Sequence, residues 1–240
     1  MNPKHPGDRV PDATFKVREG SQWKTWSTAD LFAGKRVVVF SLPGAFTPTC
    51  SASHVPRYQE LHEAFRAKGI DAIYCVSVND TFVMNAWKEQ QHADDIVFLP
   101  DGNGAFTEGM GLLVDKGEIG FGKRSWRYAM IVNDGAIEQL FIEPEKPGDP
   151  FEVSDADTVL KALGGHSDPD VLLFTKPGCA HCERAKRVLD EAHLRWAELP
   201  VSPRILRALP GPGTTPVVFV DGKHVGGADE LVQWMQSRPR

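Results

Sequence analysis

The sequence predicts an α/β fold divided into two domains of unequal size. Short β-branched or aromatic runs alternate with helical stretches along the whole chain. That alternation breaks once, at Leu163-Gly-Gly-His-Ser-Asp-Pro-Asp170, where turn formers replace apolar periodicity, and then restarts in miniature. The 240 residues are enough for two modest domains. The expected division is a first domain over 1–163, a linker over 164–169 and a second domain over 170–240.

In the first domain Val37–Ser41, Ile70–Val78, Ile96–Leu99, Tyr128–Val132 and Ile137–Ile142 read as strands bounded by Gly, Pro, Asn or Asp. After Cys50, residues Val55, Tyr58, Leu61, His62 and Phe65 share one helical face that ends at Gly69, with a kink expected at Pro56. Thr81–Gln91 reads as a helix, and so does Asp155–Leu163 behind a Ser154 cap. In the second domain Val171–Thr175, Trp196–Leu199 and Val217–Val220 read as strands. Cys182–His193, Arg204–Leu209 and Ala228–Ser237 read as helices between and after them. Such an order places a site at the first strand–helix junction.

Composition narrows the function classes. Hydrophobic residues make up 41% and charged residues 25%, values of an ordinary globular protein. A net charge of −5 gives no basis for nucleic-acid binding. No apolar run approaches the length of a membrane span, and Met1–Asp8 lacks the apolar core of a signal peptide. A reducing, cytoplasmic setting is therefore expected. There, a Cys-x-x-Cys points to redox chemistry or metal binding rather than to a structural staple.

Four cysteines carry the chemistry. Cys50 closes Pro43-Gly-Ala-Phe-Thr-Pro-Thr-Cys50, a sequence that starts a helix with Thr47 as capping hydroxyl and Pro48 in the first turn. A thiol is nucleophilic only as thiolate, and a helix start or a neighbouring guanidinium favours that form. The plain alternative is a buried cysteine on a helix. Cys75 sits in the apolar run Ala72-Ile-Tyr-Cys-Val-Ser-Val78 and reads as core rather than as a resolving thiol.

The flanks decide for chemistry at Cys50. Pro43-x-x-x-Thr47-x-x-Cys50 resembles the active-site motif of peroxiredoxins, and the wider octapeptide resembles their type-V branch. Lys123-Arg-Ser-Trp-Arg-Tyr-Ala-Met130 resembles the family's later strand and aligns Arg127 with its arginine, leaving Arg124 as a supporting charge. The resemblance covers about residues 10–163. It implies a thioredoxin-like fold and hydroperoxide reduction: the Cys50 thiolate attacks one peroxide oxygen and becomes a sulfenic acid. Thr47 and Arg127 would hold the peroxide in line and stabilise the leaving oxygen, and Pro43 would shield the sulfenate. Some relatives carry a resolving cysteine before the last helix; here that segment, Gly148–Asp155, has none. Another thiol must then restore Cys50.

Cys179-Ala-His-Cys182 supplies two thiols one helical turn apart. Cys179 would stand at the helix start, with Cys182 positioned to attack a mixed disulfide on it. Zinc would need two further ligands; His181 and His193 are available, but no second Cys-x-x-Cys exists, so no metal is expected. Phe174-Thr-Lys-Pro-Gly-Cys179, Thr214-Thr-Pro216 and Gly226-Gly-Ala-Asp229 together resemble a glutaredoxin over residues 170–236. The resemblance implies a second thioredoxin-like domain, a cis Pro216, and a glutathione site. In that site the peptide would run along Thr215, its glycyl carboxylate near Lys176, and its γ-glutamyl end at Gly227, Ala228 and Asp229. Ala180 and His181 depart from the family's usual proline and aromatic, which bears on redox potential. His181 reads as a solvated tip.

Both resemblances together imply a peroxiredoxin–glutaredoxin fusion that reduces hydrogen peroxide and organic hydroperoxides. Glutathione would be its co-substrate, with no permanently bound cofactor. A short linker favours transfer between subunits, so a homo-oligomer, dimer or tetramer, is expected, with no nucleic-acid or membrane partner. Cys182 is either an assistant through an internal disulfide or a spectator. Two other readings stay open: a redox relay to a partner protein, and a general disulfide reductase.

Overall fold

The computed structural model describes residues 1–164, 169, 171–192, 194 and 196–237. Residues 165–168 of the expected linker, Asp170 and His193 lie outside the described residues. The chain separates into two compact units, Met1–Ser167 and Asp168–Arg240.

The first unit begins with a hairpin of β1 (Thr14–Glu19) and β2 (Gln22–Ser27), followed by α1 (Thr28–Phe32) and β3 (Arg36–Ser41). After a π turn at Cys50–His54 come α2 (Val55–Glu60), α3 (His62–Ala67), β4 (Ala72–Ser77), α4 (Thr81–Gln91) and β5 (Ile96–Pro100). Next are α5 (Ala105–Gly109) and a small ribbon of β6 (Leu113–Asp115) with β7 (Lys123–Ser125). The unit ends with β8 (Tyr128–Asn133), β9 (Ala136–Ile142) and α6 (Ala156–Ala162). The central sheet has the order β5-β4-β3-β8-β9, with β3, β4 and β5 parallel and β8 and β9 antiparallel to their neighbours.

Both faces of this sheet are covered, which is why its strands read as near-continuous apolar runs. Side chains alternate between the two faces with period two. Val38 and Phe40, Ile73 and Cys75, and Ala129 and Ile131 point to one core, shared with Cys50, Tyr58, Phe65 and Trp87. Val37 and Val39, Tyr74 and Val76, and Met130 and Val132 point to the other, shared with Phe15, Phe32 and Phe106. Cys75 is fully buried, as its apolar neighbours predict, and burial pushes its thiol well above the usual range.

Two local expectations are corrected, and one element is added. The helix after Cys50 does not kink at Pro56. It runs as a π turn, closed by Val55 N–H donating to the Cys50 carbonyl, and then enters α2 with Pro56 in its first turn. Proline has no N–H for the carbonyl four residues back, and its ring crowds that carbonyl, so the wider turn relieves both. The break comes later, at Leu61 between α2 and α3. Asp155, not Ser154, caps α6 by accepting from Thr158 N–H. The β1–β2 hairpin was not anticipated, because β2 is largely exposed and has no apolar face to read.

The second unit contains β10 (Val171–Thr175), α7 (Ala180–Glu191), β11 (Trp196–Pro200), α8 (Pro203–Leu206), β12 (Val217–Val220), β13 (Lys223–Gly226) and α9 (Ala228–Ser237). Its sheet order is β11-β10-β12-β13, parallel between β10 and β11 and antiparallel elsewhere. Strand β13 is an addition to the expected order. The core gathers Val171, Leu173, Ala185, Leu189, Val218 and Leu231. No helix among the described residues is long and apolar enough to cross a membrane.

Candidate active sites

The first site forms where the π turn meets the residue that enters β8. The turn brings Cys50 and His54, both fully buried, against Arg127, which is itself only 1% exposed. Arg127 Nη1 donates to Cys50 Sγ at 3.4 Å and to His54 Nδ1 at 2.9 Å. Nη2 donates to the Asp149 carboxylate. The guanidinium also lies over the Phe151 ring, 5.4 Å from its centroid. Burial alone would lower the Arg127 pKa, but the Asp149 carboxylate and the Cys50 sulfur more than offset it, so the group is held above its ordinary value. Its Nε is buried and has no hydrogen-bond partner.

Thr47 precedes this turn. Its hydroxyl donates to the Gly44 carbonyl at 2.8 Å, where the sequence had suggested a helix cap. With its proton committed there, the hydroxyl oxygen keeps lone pairs to accept from another O–H. Pro43, Thr47 and Pro48 line a cleft of about 880 Å³ with Ile119, Phe121 and Asp149. Arg124 braces the wall by donating to the carbonyls of Val78 and Phe121. Trp87 is fully buried in the core, with its indole N–H on the Ser51 hydroxyl.

Sequence reasoning missed His54, Asp149 and Glu143. His54 stood four residues after Cys50, on the same side of the turn, which was the available signal. The other two come from a distant segment. Glu143, 1% exposed, accepts from the backbone N–H of Glu152, Val153 and Ser154 and from the Ser154 hydroxyl. Burial alone would raise its pKa, but those donors outweigh it and hold the carboxyl below its usual range.

His54 makes stability depend on pH. Burial first, and the Arg127 charge second, lower its pKa from 6.5 to about 3. The unfolded chain therefore takes up this proton across a range where the folded chain does not. The stability it contributes is complete above pH 6.5 and is lost as the pH falls towards about 3, by up to roughly 5 kcal/mol. Urea-unfolding midpoints of the first unit's transition should fall on acidification, and His54→Asn should flatten that fall. An unchanged pH slope in the variant would count against this account.

The second site lies at the start of α7. Cys179 is the N-cap residue, its sulfur accepting from Cys182 N–H at 3.2 Å, and the two cysteines are joined as a disulfide. Thr215 faces Cys179 Sγ with both its hydroxyl and its carbonyl oxygen at 3.4 Å. The Thr215–Pro216 peptide is cis. Thr215, Pro216, Gly227, Ala228 and Asp229 line one cleft of about 410 Å³. Lys176 is exposed and is not among the residues lining it. His181, also exposed, is part of the lining, as are Arg184, His224 and Glu230, which the sequence had not singled out. Asp229 pairs with Arg184, while Glu230 accepts Gly227 N–H at 2.8 Å. Among the described residues no cluster of His, Cys, Asp or Glu is placed to hold a metal ion.

Known proteins resemble both parts of the chain. The Redoxin family model matches residues 5–160, and the Glutaredoxin model matches residues 171–225. The hybrid peroxiredoxin hyPrx5 of Haemophilus influenzae is 53% identical over 234 residues, covering 95% of this chain and 97% of its own. The chain belongs to the hybrid peroxiredoxins. A Synechocystis peroxiredoxin is 54% identical over 68% of this chain and 94% of its own. The reduced Prx3 of Vibrio vulnificus, solved in complex with hydrogen peroxide, is 46% identical, with a TM-score of 0.63 over 67% of this chain and 99% of that one. This hybrid peroxiredoxin is thus a peroxidase built from a redoxin unit followed by a glutaredoxin unit, both thioredoxin-like.

Proposed function

We propose that this hybrid peroxiredoxin reduces hydrogen peroxide and organic hydroperoxides at Cys50 and is restored by glutathione through its own glutaredoxin unit. The observation that carries the reading is Arg127 Nη1 aimed at Cys50 Sγ from 3.4 Å. That N–H stands against the sulfur, and the unpartnered Nε–H remains as a donor for a peroxide oxygen. The Thr47 hydroxyl oxygen accepts a hydrogen bond from the peroxide O–H, because its own O–H donates to the Gly44 carbonyl. Pro43, on the wall of the cleft, shields the product.

Attack by Cys50 on the nearer oxygen breaks the O–O bond, leaving a sulfenic acid and releasing water or an alcohol. Glutathione condenses with the sulfenic acid, releasing water and forming a mixed disulfide. Cys179 then attacks the glutathione sulfur and frees Cys50. A second glutathione takes the first as glutathione disulfide and frees Cys179. Burial of Cys75 supports an outside reductant, since Cys75 is the other free cysteine of the chain. The cleft beside Cys179 offers Thr215, Gly227, Ala228 and Asp229 to glutathione. Lys176, exposed and outside the lining of that cleft, is the expected partner of the glycyl carboxylate only by the glutaredoxin resemblance. Tethering the reductant keeps its local concentration in the millimolar range. An oligomer of at least two chains and a cytoplasmic setting complete the proposal. Steady-state peroxide consumption with glutathione as sole reductant tests it. Turnover that starts only when a thioredoxin system is added would defeat the glutathione route.

A further inference from the structure

We propose that His54 is a positioning residue for the peroxide reaction, holding the Arg127 guanidinium against Cys50, and that Glu143 fixes His54 through the Ser154 carbonyl. The inference rests on the proposed role of Cys50 and Arg127 and adds the machinery that orients them.

The hydrogen-bond chemistry leaves one arrangement. A guanidinium N–H can only donate, so His54 Nδ1, 2.9 Å from Arg127 Nη1, must be the acceptor. A carbonyl can only accept, so Nε2, 3.1 Å from the Ser154 oxygen, must carry the ring proton. His54 is therefore a neutral, single-tautomer acceptor with both nitrogens engaged. Its low pKa agrees with this.

The Ser154 carbonyl does not move freely under that ring. Tyr58 Oη also donates to it at 2.9 Å. Ser154 N–H and Oγ–H both donate to Glu143 Oε1, at 2.8 and 2.7 Å. The N–H of Val153 joins them at 2.9 Å, and that of Glu152 meets Oε2 at 2.8 Å. Glu143 is also tied to the arginine it serves, because its own N–H donates to the Arg127 carbonyl at 3.1 Å. A buried carboxylate with four donors is costly to build and strongly held once built.

Two anchors are needed because a planar guanidinium pinned at one nitrogen can still pivot. Asp149 pins Nη2, but its side chain is 38% exposed at the wall of the cleft. His54 pins Nη1, the nitrogen that faces the sulfur, from a fully buried position. A second carboxylate could hold Nη1 as well, but it would neutralise the charge that Cys50 and the peroxide need. A neutral imidazole orients the cation without discharging it.

The test is single-turnover oxidation of Cys50 by hydrogen peroxide in the full chain. His54→Leu should slow it by about 10- to 100-fold, the cost of a misplaced catalytic group. His54→Asn, whose side-chain oxygen can stand in for Nδ1, should recover most of that rate. In an Arg127→Gln background, His54→Leu should add no further loss, a non-additivity that a merely structural role would not produce. If His54→Leu does not fold, Glu143→Gln takes its place, with loss expected alone and none in the Arg127→Gln background. Wild-type rate in the single variant, or the same loss in both backgrounds, would overturn the positioning role. Absence of Cys50 oxidation in the wild-type protein would instead overturn the reading of the site itself, and the inference with it.

Discussion

Arg127→Gln should slow oxidation of Cys50 by peroxide about 10²- to 10³-fold, the range seen when one preorganised donor is removed from an active site. The guanidinium is the point where the site converges: Cys50 and His54 share Nη1, Asp149 takes Nη2, and Phe151 lies across its face. Glutamine keeps some hydrogen-bonding capacity but removes the positive charge that stabilises the departing oxygen. The protein should still fold, because Asp149 is exposed enough to be solvated when its partner is lost, and His54 is neutral. Stopped-flow peroxide consumption in a single turnover, with a urea-unfolding curve on the same sample, separates chemistry from stability. A folded variant reacting at the wild-type rate would remove Arg127 from the mechanism.

Cys179→Ser should leave one oxidation event per chain and then stall when glutathione is the reductant. The first unit is complete without the second: Cys50, Thr47 and Arg127 all lie within residues 43–127. The other cysteine of that unit, Cys75, is sealed in the core, where burial also keeps its thiol protonated. Restoration must then pass through a thiol outside that unit. Of the two in the second unit, Cys179 is the more accessible, 8% exposed against 1% for Cys182, and it is the one beside Thr215 and the cleft. Intact-mass measurement after a peroxide pulse in glutathione should find Cys50 held as its glutathione adduct in Cys179→Ser. Sustained turnover by that variant would show that glutathione alone recycles Cys50.

Much of this was legible in the residues. The strands of the central sheet announce themselves because burial on both faces demands continuous apolar runs, as in Val37–Ser41. Cys50, Thr47 and Pro43 are close in sequence, so one short motif displays them. Cys179 and Cys182 are equally local. His54 was close enough to notice but gave no sign of its partner, since its Nδ1 meets an arginine 73 residues away. Asp149 and Glu143 were illegible for the same reason: a carboxylate in an irregular segment looks like any solvated charge until the fold buries it. The kink expected at Pro56 failed because a helix can answer a proline by widening ahead of it as well as by bending.

The sequence by itself determined that two thiol sites of different design sit in two α/β units, because each site is written in contiguous residues beside a helix start. Only the tertiary structure decided how the first of them is held. The orientation of a guanidinium depends on contacts from separate segments, here His54 in the π turn and Asp149 and Glu143 beyond β9. Those contacts exist only once the sheet has brought the segments together.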